Sequence, residues 1–219
     1  MLLKENSIAL SSQDDSNCQN QTSSIKLKSQ AFGYKRFLDI LFVSILIPIA
    51  IPLMLIACLL MKLTSKGSIF FSQIRIGKYG KEFVMYKIRT MTDGYQEYLQ
   101  DQDKDSRITV LGKFLRVTKI DELPQLYNIL KGDMSLIGPR PEQPRYVRKN
   151  QEENPLFNLR HVIKPGITGW AQIHIPKATP ADNLKKLTYD LYYIEKYSWR
   201  LDFIILLKTV KIILTLNSR

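Results

Sequence analysis

The chain has 219 residues, 45% of them hydrophobic, and a formal net charge of +12, enough for one catalytic domain with appendages and a real core. Its only cysteines, Cys18 in a polar tail and Cys58 in an apolar run, build no disulfide framework, and two distant histidines, His161 and His174, argue against a zinc site. The excess positive charge suits nucleic acid, anionic lipid or a phosphorylated substrate, but the basic residues cluster near Lys26–Arg36 and Lys62–Lys87 instead of forming one aromatic-interleaved stripe, which disfavours nucleic acid.

Residues 1–33 are rich in Ser, Asn, Gln and Asp without apolar period and read as a disordered polar extension. They are not a signal peptide, because the apolar core begins only near residue 40. Ile40 to Met61 contains no charge and reaches the roughly 20 residues of a membrane-crossing helix. Pro48 and Pro52 near its middle predict a bend, since each removes a backbone donor. Both flanks are basic, with Lys35 and Arg36 before and Lys62 and Lys66 after, so the charge rule gives no orientation. On the residues alone, a straight span and a re-entrant segment over 34–66 both remain open.

Residues 67–219 read as one catalytic domain. Ser68–Arg75 and Glu82–Arg89 are rich in Ile, Phe, Val and Tyr around Gly77-Lys78-Tyr79-Gly80, which predicts a β-hairpin. Thr90–Arg107 reads as polar loop and Thr109–Val117 as a short helix. Asp121 is the expected N-cap of the next helix, with Leu123, Leu126, Tyr127 and Leu130 at helical spacing, Pro124 in the first turn and Gly132 as the stop. Residues 133–180 carry most of the Gly and Pro punctuation and read as an irregular region around a site. Ala181–Tyr197 and Leu201–Leu216 read as helices, the second amphipathic, lying in a membrane interface or packed on the core.

Asp121 and Glu122 alone would be a cap and a first-turn acid. Their neighbours change the reading: Arg116 stands about one turn upstream, and Arg140 sits on a turn restricted by Pro139 and Pro141. Two guanidiniums and exposed amides make an anion site and keep Asp121 ionised. A hard cation such as Mg²⁺, held by Asp121, Glu122 and phosphate oxygens, removes the repulsion between carboxylate and phosphate.

Three runs in order, YKIRTM (86–91), IDELPQLYNILKGDMSLIGPRP (120–141) and KPGITGWAQI (164–173), closely resemble the bacterial sugar transferases, the monotopic phosphoglycosyl transferases that initiate exopolysaccharide and related glycans. The resemblance runs from about Tyr34 to the C-terminus. It implies an α+β, mainly helical fold on a proline-bent re-entrant helix with Pro52 at the bend, a small hairpin and interfacial amphipathic helices. It also implies a two-step transfer. Asp121 attacks a UDP-sugar, UMP leaves, and undecaprenyl phosphate takes the sugar phosphate from the aspartate, with Mg²⁺ as cofactor. Glu122 positions metal or phosphate, while Arg116, Arg140, Lys87 and Asp190 match substrate-binding positions, flanked in the turn by Pro139 and Pro141. Unaided, Lys87 would be a solvated lysine ending a strand and Asp190 a surface acid.

The implied setting is a bacterial cytoplasmic membrane with the catalytic domain facing the cytoplasm, in contact with membrane lipid and without nucleic acid. Assembly with itself or with downstream glycosyltransferases is compatible with it. The sequence departs from the family in three places: Ile51 where Ser often precedes the bend proline, Lys119 ahead of the acidic pair, and HIPKATPADN after GWAQI. The last leaves the sugar unassigned. Larger relatives carry several membrane helices and a further domain upstream, which residues 1–33 cannot hold, so the minimal catalytic form is expected. The rival readings are a polyprenyl-phosphate-binding scaffold without turnover, disfavoured by the complete set of acids and arginines, and a membrane-anchored nucleic-acid-binding protein.

Overall fold

The computed structural model describes residues 35–91 and 108–215. The polar extension expected over 1–33 and most of the loop expected over Thr90–Arg107 lie outside them.

Helix α1 (Lys35–Thr64) is 30 residues long and runs through Pro48 and Pro52 as one helical element. The prolines deprive the carbonyls of Ser44 and Pro48 of their donors without dividing the helix. Its buried apolar residues Val43, Ala50, Ala57 and Met61 recur at coiled-coil spacing and form one narrow seam against the rest of the chain. Ala50 and Ala57 allow close approach, while Phe37, Ile49, Leu55, Ile56, Leu59 and Leu63 are exposed.

Strands β1 (Phe70–Ile76) and β2 (Glu82–Ile88) form the expected antiparallel hairpin, with Gln73 opposite Met85 and Phe71 opposite Lys87. One face carries the buried Phe83 and Met85, which join Val43, Leu126, Ile129 and Met134 in a core beneath α1. Each such buried side chain contributes about 1.5–3 kcal/mol of transfer free energy. Helix α2 (Val110–Thr118) begins at Thr109, whose side chain accepts from the Gly112 amide, and ends at Lys119 in the left-handed region (φ 60).

Past Lys119 the sequence reading needs correction. Asp121 does not cap a helix; it lies inside a 3-10 turn, Ile120–Glu122, and helix α3 (Gln125–Lys131) starts only after Pro124. The left-handed Lys119 starts the turn early, and Pro124 starts α3 late. Gly132 stops α3 at φ 98, as its position in the sequence suggested.

Residues 133–180 are more ordered than their punctuation implied. β3 (Ser135–Ile137) pairs in parallel with β4 (Gly166–Thr168), and between them stand α4 (Pro144–Glu153) and a 3-10 stretch, Pro155–Val162. Short α5 (Trp170–His174) follows, then α6 (Asn183–Glu195) and α7 (Trp199–Leu214). Ile137, Leu159, Tyr193, Ile194 and Ile205 form the core between the small sheet and these last helices. α7 buries Leu201 and Ile205, whereas Phe203, Leu207 and Leu214 of its predicted apolar face are exposed. It therefore has an inner and an outer apolar side.

Both ends of α1 are fastened to this one body. Near the N-terminal end, Arg36 donates to the carbonyls of Ile129 and Leu130, and Asp39 accepts from the Ser135 hydroxyl and the Leu136 amide, both at 2.9 Å. Near the C-terminal end, Arg89 donates to Ser65 at 3.2 Å and to the Lys66 carbonyl, while Ala57 and Met61 pack with Ile88 and Leu115.

Candidate active site

The GPRP turn is built by backbone contact. Gly138 donates to the Thr168 carbonyl and Gly166 donates to the Pro139 carbonyl, both at 2.9 Å. A Cβ on Gly166 would stand 2.1 Å from the Gly138 nitrogen, so only glycine lets the two segments close. This contact ties two runs 28 residues apart in sequence and presents Arg140 from a fixed base.

Arg140 then meets Glu122. Its Nη2 lies 2.7 Å from Glu122 Oε1, and Lys87 Nζ reaches the same oxygen at 2.7 Å from strand β2. Glu122 is buried. Burial works against its charge, but Arg140 and Lys87 outweigh it and hold the carboxyl well below the usual carboxylate range. Glu122 in turn raises the already high pKa of Arg140, against burial. Asp121 is equally buried on the same turn. Arg116 directs Nε at Thr90 Oγ1, 2.7 Å away, which places the α2 guanidinium against the end of the hairpin.

The structure thus brings Asp121, Glu122, Lys87 and Arg140 together and places Arg116 on the adjacent helix. Lys87 is no solvated strand end. Asp190, which unaided reads as a surface acid, is 1% exposed and ion-paired with Arg160 at 2.8 Å. Burial pushes its carboxyl up to about 6 despite that pairing. Pro139 and Pro141 shape the turn through their backbone: Pro139 accepts from Gly166, and Pro141 accepts from Arg75 at 3.1 Å. His161 is buried against Phe157, and desolvation lowers its pKa to about 3, so it stays neutral.

Reading the sequence missed a second set of charges. Glu142, directly after the GPRP turn, is buried and paired with Lys186 at 2.8 Å and Arg75 at 3.9 Å. Arg160 donates to the Arg140 carbonyl at 2.9 Å. No local pattern marks these residues, because their partners come from β1, the 3-10 stretch and α6. The only available hint was Glu142 adjoining the motif.

A cavity of about 640 Å³ opens beside Glu122 and Arg140. Its polar wall includes Lys119, Arg160 and Lys186; its apolar walls are Phe42, Ile45, Leu46 and Leu53 of α1 and Leu206, Val210 and Ile213 of α7. Cations at one side and two apolar helices at the other suit an amphiphile with an anionic head.

Asp121 and Glu122 supply two adjacent buried carboxylates, one oxygen of Glu122 being taken by Arg140 and Lys87. Among the described residues no group of three or more His, Cys, Asp or Glu side chains could hold a metal. An ion held by Asp121 and Glu122 would complete its shell with diphosphate oxygens and water, the usual habit of Mg²⁺.

The family described as bacterial sugar transferase matches residues 29–216. A UDP-N-acetylgalactosamine-undecaprenyl-phosphate N-acetylgalactosaminephosphotransferase of Aeromonas hydrophila is 45% identical over 201 residues, covering 90% of this chain and 47% of the relative. A UDP-glucose:undecaprenyl-phosphate glucose-1-phosphate transferase of Klebsiella pneumoniae is 40% identical, covering 81% of this chain and 39% of the relative. An uncharacterised sugar transferase of Bacillus subtilis is 39% identical, with 82% of this chain and 87% of the relative covered. The chain belongs to the bacterial sugar transferase family. It spans less than half the length of the first two relatives.

Proposed function

We propose that this protein transfers a sugar 1-phosphate from a UDP-sugar to undecaprenyl phosphate at the cytoplasmic face of a bacterial inner membrane, the first step of a glycan. The observation that carries this reading is the cavity, where the Glu122–Arg140–Lys87 cluster adjoins walls lent by the apolar helices α1 and α7. A site for soluble nucleotide alone has no use for such walls. The names of the two longer relatives, both undecaprenyl-phosphate sugar phosphotransferases, support the same reaction.

In the first step an Asp121 oxygen bonds to the sugar-side phosphorus of the donor. The bond from that phosphorus to the bridging oxygen breaks, and UMP leaves with the electron pair. In the second step an acceptor phosphate oxygen bonds to the same phosphorus and the aspartyl oxygen departs as carboxylate. Neither step moves a proton, so the neutral, buried His161 has no part to play. Splitting one displacement into two is the logic of covalent catalysis. Glu122 fixes Arg140 and Lys87 where charge gathers on the transferring phosphoryl group. Bound Mg²⁺, held by Asp121 and Glu122, would screen the carboxylate nucleophile from the donor's negative charge.

The proposed membrane seating is supported by α1, a 30-residue apolar helix. Between Asp39 and Ser65 it rises about 40 Å, more than the ~30 Å hydrocarbon layer. Yet the same body grips both ends, so a straight crossing would drag that body into lipid. A bend at Pro48 and Pro52, where the helix lacks two backbone donors, would keep both ends on one face, with the outward apolar side of α7 toward the interface.

The test is release of UMP from a panel of UDP-sugars by the purified chain, with and without undecaprenyl phosphate. At most one equivalent is expected without acceptor and continuous turnover with it, both lost in Asp121→Asn. No release from any donor would favour a non-catalytic polyprenyl-phosphate-binding scaffold, and a first equivalent that strictly required acceptor would indicate direct transfer.

A further inference from the structure

Arg160 is the least expected group on the cavity wall. Its side chain is 1% exposed, and its Nη2 serves the Arg140 carbonyl and the Asp190 ion pair. Nε and Nη1 are buried and make no hydrogen bond to protein. The Phe157 ring lies 4.9 Å from the guanidinium carbon. Such donors are costly to leave unfilled in a closed space, and a guanidinium fork matches phosphate oxygens. Lys186 adds a second buried cation to the same wall, and Gln172 adds a carboxamide whose two polar atoms are likewise buried without protein partners.

We infer that Arg160 and Lys186 form a second phosphate subsite of this cavity, which holds the phosphate of departing UMP and afterwards the phosphate of the polyprenyl acceptor. The inference rests on the two-step transfer proposed above. In-line displacement requires the leaving oxygen of the first step to stand opposite the aspartyl oxygen. The attacking acceptor oxygen of the second step must stand opposite that same aspartyl oxygen. One position therefore serves both phosphates in turn, and it needs cations distinct from those fixed on Glu122. Arg160 fits because it is joined to Arg140 through the Arg140 carbonyl, so the two guanidiniums keep a set relation. Gln172 gives the subsite a neutral donor and acceptor.

The test is titration calorimetry on the full chain in lipid nanodiscs, with UMP, uridine and undecaprenyl phosphate as probes. Arg160→Lys preserves a cation for Asp190 while removing the fork. It should weaken UMP and undecaprenyl phosphate alike, by about tenfold or more, and leave uridine within about twofold. Lys186→Met should repeat the pattern at about threefold and serves should Arg160→Lys fail to fold. Loss of UMP affinity alone would overturn the shared subsite, as would unchanged binding of both phosphates in both variants. A wild-type chain that bound neither UMP nor undecaprenyl phosphate would instead remove the underlying transferase reading.

Discussion

Glu122 and Asp190 are both buried acids beside a guanidinium, yet they sit at opposite ends of the carboxylate range. Glu122 receives two cations on one oxygen, each at 2.7 Å, and burial is outweighed. Asp190 has one ion-pair contact at 2.8 Å, and burial wins, with the carboxyl pushed up to about 6. Glu122 gains from two cations in direct contact, whereas Asp190 has one and also feels the like charge of Glu142. The upper cluster is built to hold a permanent anion between two permanent cations, while the lower one holds a carboxyl that titrates near neutrality and steadies Arg160.

The comparison can be broken at its strongest point first. Asp121→Asn should reduce UMP release by roughly three orders of magnitude or more with the fold intact by circular dichroism, since the proposed nucleophile alone is removed. Glu122→Gln should come next. It leaves Lys87 and Arg140 without their shared anion and should cost about 3–5 kcal/mol in denaturant titration, together with most of the activity. Arg140→Lys keeps the charge but loses the planar donor fork, so a drop of about tenfold in kcat is expected from steady-state kinetics.

The smallest effect sharpens the contrast. Asp190 binds its proton more tightly when folded, so its contribution to stability is largest below its unfolded value of 3.8 and is lost as pH rises through about 6. Asp190→Asn should flatten the fall in melting temperature between about pH 4 and 7, whereas the wild-type chain retains it. A slope unchanged by the substitution would mean that Asp190 is ionised throughout, like Glu122.

The hairpin, α2, α6 and α7 were legible because their signals are local: alternating apolar residues around Gly77–Gly80, or apolar residues at helical spacing. The pairing of β3 with β4 was not legible, since a parallel contact between Ser135 and Gly166 leaves no mark on either segment. Helix α4 was missed because its sequence, PRYVRKNQEE, buries only Val147 and Asn150 and shows almost no apolar stripe. At the site, Arg140 stood out from its prolines and Asp121–Glu122 from their adjacency, although the cap assigned to Asp121 was mistaken. Lys87 and Asp190 entered only through the family resemblance. Arg160 and Lys186 were invisible, and Glu142 was hinted at only by adjoining the motif, since what distinguishes all three is desolvation by residues distant in the chain.

Because α1 is gripped near Asp39 and again near Ser65, it works as a gauge bar. One extra residue between the grips would turn everything beyond it by about 100° and advance it by about 1.5 Å. Ala57 and Met61 would then swing away from Ile88 and Leu115, although no reacting group had been altered. The registration of the hairpin and α2 against the N-terminal end of α1 is thus metered by the residue count of a helix that does no chemistry.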